Sequence, residues 1–127
     1  MAMRMNKNGS FSMASRVKSF RDAGRGLVSL LATEPNARIH LAAAICAVVA
    51  GIVLQIGSSD WRWLVLAIGW VWFAEAINTS IEHLCDVVTR ETHPGIRIAK
   101  DVAAAGVLIS AVAAATIGLM IFLPHLR

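Results

Sequence analysis

Three long stretches of this chain carry almost no charge. Ile39 to Ser59 holds no formal charge when His40 is neutral, Val102 to Leu123 holds none, and Trp63 to Ile81 is interrupted only by Glu75. Each stretch reaches about the 20 residues that a helix needs to cross a hydrocarbon core. The linkers are a short polar turn, Gly57-Ser58-Ser59-Asp60, and a charged segment from His83 to Asp101. The expected fold is all-α: an integral membrane bundle of three transmembrane helices, at about 38–57, 61–86 and 98–123, within a membrane domain of residues 15–127. The first apolar run begins after some forty residues and shows no cleavage site followed by a soluble domain, so a retained span is expected rather than a cleaved signal.

Charge is concentrated ahead of the first span. Seven of the twelve Lys and Arg lie within the first 38 residues, against two acids there, Asp22 and Glu34. The chain has no Tyr, and its four Trp fall between Trp61 and Trp72, where they are expected to anchor and pack the outer half of the second span. A nucleic-acid binder would scatter aromatics among its basic residues, so the basic arm points to a membrane surface and to no nucleic-acid partner. Residues 1–14, rich in Met, Asn and Ser, are expected to be a disordered basic N-terminus. Between about 15 and 33, Val17, Phe20, Leu27, Leu30 and Leu31 fall near one helical face and Arg16, Lys18, Arg21, Asp22 and Arg25 occupy much of the rest. That pattern is an amphipathic surface helix. Pro35 ends it, because the residue before a proline avoids helical dihedrals.

With the N-terminus inside, the cytoplasmic segments hold the seven arm residues plus Arg90, Arg97 and Lys100, and the outer segments hold Arg62 and Arg127. Ten against two predicts a cytoplasmic N-terminus, a cytoplasmic second loop and an external C-terminus in a multi-pass membrane protein. Small residues at four-residue spacing, Ala43, Ala47 and Gly51 in the first span and Gly106, Ser110, Ala114 and Gly118 in the third, suit close helix packing, and a bundle this small suggests a homo-oligomer. Cys46 and Cys85 have no motif spacing and are expected to be reduced packing residues.

The anomaly is the inner half of the second span. Glu75, Asn78, Glu82 and Asp86 follow one another at intervals of three, four and four residues and form a single stripe on a helix. A carboxylate at the centre of a span costs about 2.5–3.5 kcal/mol on insertion scales. Glu75 lies roughly 10 Å deeper than Glu82. An interfacial acid can bind a divalent cation together with phosphates, and a deeper, desolvated acid can act as a general base towards a hydroxyl. The third span opens with Ile98-Ala-Lys-Asp101, where Lys100 can meet a phosphate as a point charge and Asp101 can cap the helix, orient Lys100, or do both. Glu34 stands at the same level. These ingredients suit phosphoryl transfer to a lipid hydroxyl, without a Gly-x-x-x-x-Gly-Lys-Ser/Thr phosphate loop. A small proton-coupled transporter using Glu75 as proton carrier is the alternative, disfavoured because the polar groups cluster at one membrane face; a purely structural polar seam is a third reading.

Glu75-Ala-Ile-Asn-Thr-Ser-Ile-Glu-His-Leu-Cys-Asp86, followed by Ala99-Lys-Asp-Val-Ala-Ala-Ala-Gly-Val-Leu108, resembles the signature of the small prokaryotic diacylglycerol kinases, which include the undecaprenol kinases. The resemblance covers roughly residues 15–123. It implies a homotrimer of three-span subunits that uses Mg²⁺ and ATP to phosphorylate a membrane lipid alcohol. It further implies Glu75 as catalytic base supported by Asn78, with Glu34 and Glu82 as metal ligands that place the ATP phosphates. Lys100 and Asp101 would contact nucleotide, together with the loop residues Glu91 and His93. Some relatives use an aromatic residue of the surface helix for nucleotide; Asp22 stands near that place here. Asn36-Ala-Arg-Ile-His40 and Ile81-Glu-His83 look more like the undecaprenol branch than the diacylglycerol branch.

Overall fold

A computed structural model describes residues 12–89 and 91–126. Four α-helices follow in order: α1 (Met13–Thr33), α2 (Pro35–Val53), α3 (Ser58–Val88) and α4 (Pro94–Phe122), closed by a 3₁₀ turn at Leu123–Leu126. No strand occurs among the described residues. α2, α3 and the helical stretch from Pro94 are each long and apolar enough to cross a membrane. The all-α fold with three spanning helices is therefore as the sequence implies. Of the segment expected to be disordered, residues 1–11 lie outside the described residues, and Met13 and Ala14 already belong to the first turn of α1. Arg4, Lys7, Arg90 and Arg127, which entered the charge asymmetry, also lie outside.

One residue separates α1 from α2. Glu34 is extended (φ −104°, ψ 110°) because Pro35 bars it from the helical region, while Pro35, lacking an N–H, fits the first position of the next helix. Arg38 then reaches back across the break. Its Nε donates to the Leu31 carbonyl at 2.8 Å and its Nη2 to the Ala32 carbonyl at 2.6 Å. These carbonyls belong to the last turn of α1, which has no further helix to satisfy them, and a cation is favoured at that end of the helix dipole. The elbow is thus fixed by a proline on one side and a guanidinium on the other.

The α2–α3 turn is a six-residue closure. Ile56 N–H donates to the Gly51 carbonyl at 3.1 Å and Gln55 N–H to the Ile52 carbonyl at 3.2 Å, with Gln55 left-handed at φ 53°. This is the helix-ending motif usually built on glycine, here carried by glutamine. Gly51 is required for a different reason: a Cβ there would lie 3.0 Å from Ile56 Cδ1 and from Trp61 Cη2. Trp61 thereby packs inward, whereas Trp63 and Trp70 face outward, so only part of the tryptophan group packs within the protein.

α3 is the central helix: it packs along α4 and more sparingly against α2 and α1. At 31 residues it is about 46 Å long, well beyond a hydrocarbon core of about 30 Å. The apolar cluster of Ile56, Leu64 and Ile121 closes one end of the bundle, with Trp61, Ile68 and Ile117 against it. Most other large apolar side chains face outward, among them Ile52, Val65, Leu66, Leu108 and Met120, a surface that suits lipid and not water. On α1, Leu30 is buried while Val17, Phe20 and Leu27 remain uncovered, as an interfacial helix requires.

Two packing expectations change. Cys46 and Cys85 are free thiols, but Cys46 is exposed on α2 and is not a packing residue within the chain. Of the small-residue faces, Gly51 makes a close approach, whereas a Cβ at Gly106 or Gly118 would meet nothing within 4 Å. Ala43, Ala47, Ala114 and Gly118 instead border an apolar crevice of about 340 Å³ between α2, α3 and α4.

Gly51→Leu should force the α2–α3 turn open, since overpacking typically costs about 1–3 kcal/mol. Thermal unfolding in detergent micelles, followed by tryptophan fluorescence, is expected to show a lower Tm than the parent. An unchanged Tm would mean that Trp61 does not rest on Gly51.

Candidate functional site

The α3 stripe forms as the spacing requires, and burial falls along it. Glu75 is 2% exposed, the largest fully buried side chain among the described residues; Asn78 and the adjacent Thr79 are buried; Glu82 is half-buried and Asp86 exposed. Asn78 Nδ2 donates to Glu82 Oε1 at 3.0 Å, linking two members of the stripe one turn apart. Three buried oxygens at this level have no hydrogen-bond partner: Glu75 Oε1, Asn78 Oδ1 and Thr79 Oγ1. Leaving such an atom unsatisfied costs about 1–3 kcal/mol, and these three lie together at one level of α3.

A side chain of α2 approaches the buried carboxylate. His40 Nε2 lies 3.1 Å from Glu75 Oε1, close enough for an ion-pair contact but not aligned as a hydrogen bond. Glu34, at the α1–α2 elbow, and Glu82 both stand within electrostatic reach of Glu75. The Glu34 side chain makes no capping hydrogen bond to α2. Among the described residues no group of three or more His, Cys, Asp or Glu side chains is arranged to enclose a metal ion. Mg²⁺ fits a sparser donor set, because it commonly takes one or two protein carboxylates and completes its shell with phosphate oxygens and water. Glu34 and Glu82 supply that type of donor.

A second feature lies where α3 passes into α4. An open cleft of about 890 Å³ is bordered by Asp86, Glu91, His93, Arg97, Lys100 and Asp101, with His83 on its rim. The connecting loop is shaped locally: Glu91 N–H donates to Thr89 Oγ1 at 3.0 Å, and Gly95 N–H donates to His93 Nδ1 at 3.1 Å. His93 is thereby the cap of α4, and Pro94 its first residue. Lys100 Nζ donates to Asp86 Oδ1 at 2.7 Å, tying α4 to the end of the stripe, and Glu82 is within electrostatic reach of the same ammonium. Asp101 Oδ2 lies 3.9 Å from Arg97 Nε on the exposed side of α4.

The four sequence-predicted residues Glu91, His93, Lys100 and Asp101 therefore border one cleft, while Glu75, Asn78 and Glu82 form a separate, deeper group approached by Glu34. Asp101 neither caps α4 nor holds Lys100. The helix begins a full two turns earlier, at Pro94, so the capping role passes to His93 and the partner of Lys100 is Asp86. Sequence reasoning placed His40 in an uncharged span without a partner; the signal available was an imidazole about one turn into an otherwise apolar helix. Asp86 was read as the end of the stripe, and its lysine partner lies fourteen residues away across the helical hairpin.

A sequence profile of the family described as prokaryotic diacylglycerol kinase matches residues 21–122. The chain is 41% identical over 109 residues to an undecaprenol kinase of Bacillus subtilis (strain 168), covering 86% of this chain and 89% of that one. It is 34% identical over 109 residues to a diacylglycerol kinase of Synechocystis sp., covering 85% of this chain and 62% of that one.

Thr79→Val keeps the side-chain shape and removes one of the three unpaired oxygens. It is expected to raise the unfolding free energy by roughly 1 kcal/mol or more, read as a higher Tm in micelles. A lower Tm would show that the hydroxyl has a partner in the assembled protein.

Proposed function

Because this chain belongs to the prokaryotic diacylglycerol kinase family, in its undecaprenol kinase-like branch, and is a phosphotransferase with an alcohol acceptor, we propose that it transfers the γ-phosphate of ATP to the hydroxyl of undecaprenol at the cytoplasmic face of the bacterial inner membrane. The observation that carries the reading is the buried Glu75 carboxylate, with an unpaired oxygen, at the deep end of a polar stripe that runs out to a wide cleft. Diacylglycerol is the competing acceptor, as the Synechocystis relative's name suggests; the higher identity to the undecaprenol kinase favours undecaprenol. Positive residues at the N-terminal and α3–α4 ends support the assigned orientation. A homotrimer is part of the proposal, and the exposed Gly106 of α4, where a Cβ would meet nothing within 4 Å, suits a helix from another subunit.

In this reading ATP lies in the cleft at the start of α4. Lys100, positioned by Asp86, meets a phosphate oxygen as a point charge; Glu91, His93 and Asp101 border the nucleotide. Glu34 and Glu82 would hold Mg²⁺, which when bound neutralises charge on the phosphates. Asn78 keeps Glu82 in place through its amide and shares the level of Glu75. The lipid hydroxyl enters beside Glu75, which takes its proton as the oxygen attacks the γ-phosphorus in line. Phosphoryl transfer relies chiefly on positioning and electrostatics, and one general base contributes about 10²–10⁴ in rate. The transporter alternative requires polar groups that reach both faces; here the opposite end of the bundle is closed by Ile56, Leu64 and Ile121.

The test is γ-labelled ATP with Mg²⁺ and the purified protein in micelles, offering undecaprenol and diacylglycerol separately and in competition. Label is expected on undecaprenol in preference. Label on diacylglycerol alone would overturn the acceptor assignment, and label on neither lipid would overturn the kinase reading. Glu75→Gln is expected to insert and fold but to lose about 10²–10⁴ of turnover; near-normal turnover removes Glu75 from the role. Glu82→Gln is expected to raise the Mg²⁺ concentration for half-maximal rate, and an unchanged Mg²⁺ dependence counts against it as a ligand.

A further inference from the structure

Glu75 has an imidazole beside it that the reaction described above does not use. His40 lies about one turn into α2, and its Nε2 is 3.1 Å from Glu75 Oε1 across the α2–α3 contact. That oxygen has no hydrogen-bond partner, although the distance is already that of a hydrogen bond and only the alignment is missing. The imidazole is itself largely covered, 21% exposed at its side chain. It is also the one ionisable side chain on the wall of the 340 Å³ crevice between α2, α3 and α4, whose other lining residues are mainly alanines and larger apolar groups. In such low-dielectric surroundings a donor to a carboxylate is much stronger than the same contact in water.

We propose that His40 is the positioning residue for the Glu75 carboxylate: its Nε2–H donates to Oε1 when substrate is bound, which fixes the carboxylate and aims the other oxygen, Oε2, at the acceptor hydroxyl. The inference rests on Glu75 being the base. A carboxylate held at one oxygen retains little rotational freedom, and its remaining oxygen points where the reacting proton must arrive. Neutral histidine suits the task because it gives one N–H donor without adding a cation that would pair with the carboxylate outright. The groups that face Glu75 besides His40 are Glu34 from the elbow and Glu82 from its own helix, both acids. Neither can donate to it when ionised, so α2 supplies the donor that α1 and α3 do not. The lipid O–H bond breaks with its proton passing to Glu75 Oε2. The lipid oxygen bonds to the γ-phosphorus, and the bond from the γ-phosphorus to the β–γ bridging oxygen breaks with its electron pair leaving on ADP. His40 gains and loses no proton in this step.

A residue that acts by holding the base affects turnover and not substrate affinity, and it acts only while the base is present. Steady-state kinetics with Mg-ATP and undecaprenol in micelles would compare His40→Leu, which removes the donor, with His40→Gln, which restores an N–H at similar reach. His40→Leu is expected to lower kcat roughly 10- to 100-fold while both KM values stay within about threefold. His40→Gln should recover most of that loss. In a Glu75→Gln background, His40→Leu should cost nothing further. Should His40→Leu fail to assemble, His40→Asn, whose amide falls one carbon short of Glu75, takes its place with the same expectation. Full activity in His40→Leu, equal losses in the Leu and Gln variants, a loss confined to KM, or additive losses with Glu75→Gln would each overturn the role of His40 and leave the kinase reading intact. A parent protein that phosphorylates no lipid overturns the kinase reading, and this inference with it.

Discussion

A carboxylate placed in the apolar stretch of a spanning helix cannot face the hydrocarbon, and this one constraint arranges the rest of the molecule. Glu75 must point into the bundle, which sets the rotation of α3 and so turns Asn78 and Thr79 inward with it. The helix carrying it then becomes the central one, with α4 packed along it and α2 and α1 against its sides. The opposite stripe of α3, with Trp63, Leu66 and Trp70, is turned outward by the same rotation, where large apolar side chains find lipid. Insertion and the proposed chemistry thus ask for the same orientation, since the polar group that must be hidden from lipid is the one that stands beside His40, Glu34 and Glu82.

The bundle is built with unequal ends. Where α2, α3 and α4 meet at Ile56, Leu64 and Ile121, the chain closes tightly, with Gly51 accepting the Trp61 ring and a left-handed Gln55 turning the backbone. The other end holds the buried oxygens without hydrogen-bond partners and an open cleft. Core packing holds the first end, and the second is held by a few directed contacts: Lys100 to Asp86 across the hairpin, and Arg38 to the carbonyls of Leu31 and Ala32 across the elbow. The Arg38 clamp fixes the angle at which α1 leaves α2, and with it the place of Glu34, which is shared as the end of one helix and the start of the next. A local backbone decision at Pro35 therefore sets where Glu34, an acid of the candidate site, can stand.

Sequence periodicity made the spans, the surface helix and the stripe legible because each depends on spacing within one helix. Glu75, Asn78 and Glu82 could be placed on a common face from intervals of three and four residues alone. Contacts between helices carry no such signature. Lys100 stands beside Asp101 in sequence, yet adjacent residues on a helix diverge by about 100°, so Asp101 turns toward Arg97 while Lys100 turns toward α3 and Asp86. Likewise, the small residues of α2 and α4 satisfy a packing pattern, but the faces of Ala47 and Ala114 stand across a crevice because α3 holds the two helices apart. The helices also start ahead of the expected spans, at Pro35 and Pro94, because proline suits the first position of a helix whether or not the residues that follow it are apolar.

His40 shows how the two kinds of information combine. Within α2 it is a polar side chain in a run that otherwise reads as lipid-facing, and insertion energetics alone give it no purpose. Only the crossing of α2 over α3 brings its Nε2 to Glu75 Oε1, at a point where the acid's other electrostatic neighbours, Glu34 and Glu82, are also negative. Beside those two acids, the imidazole is the neighbour that brings no further negative charge to the carboxylate. The α2–α3 crossing is therefore a functional contact as well as a packing one. A substitution that shifts α2 along α3 by one turn, about 5.4 Å, would carry the imidazole out of reach while leaving every α3 residue of the site in place.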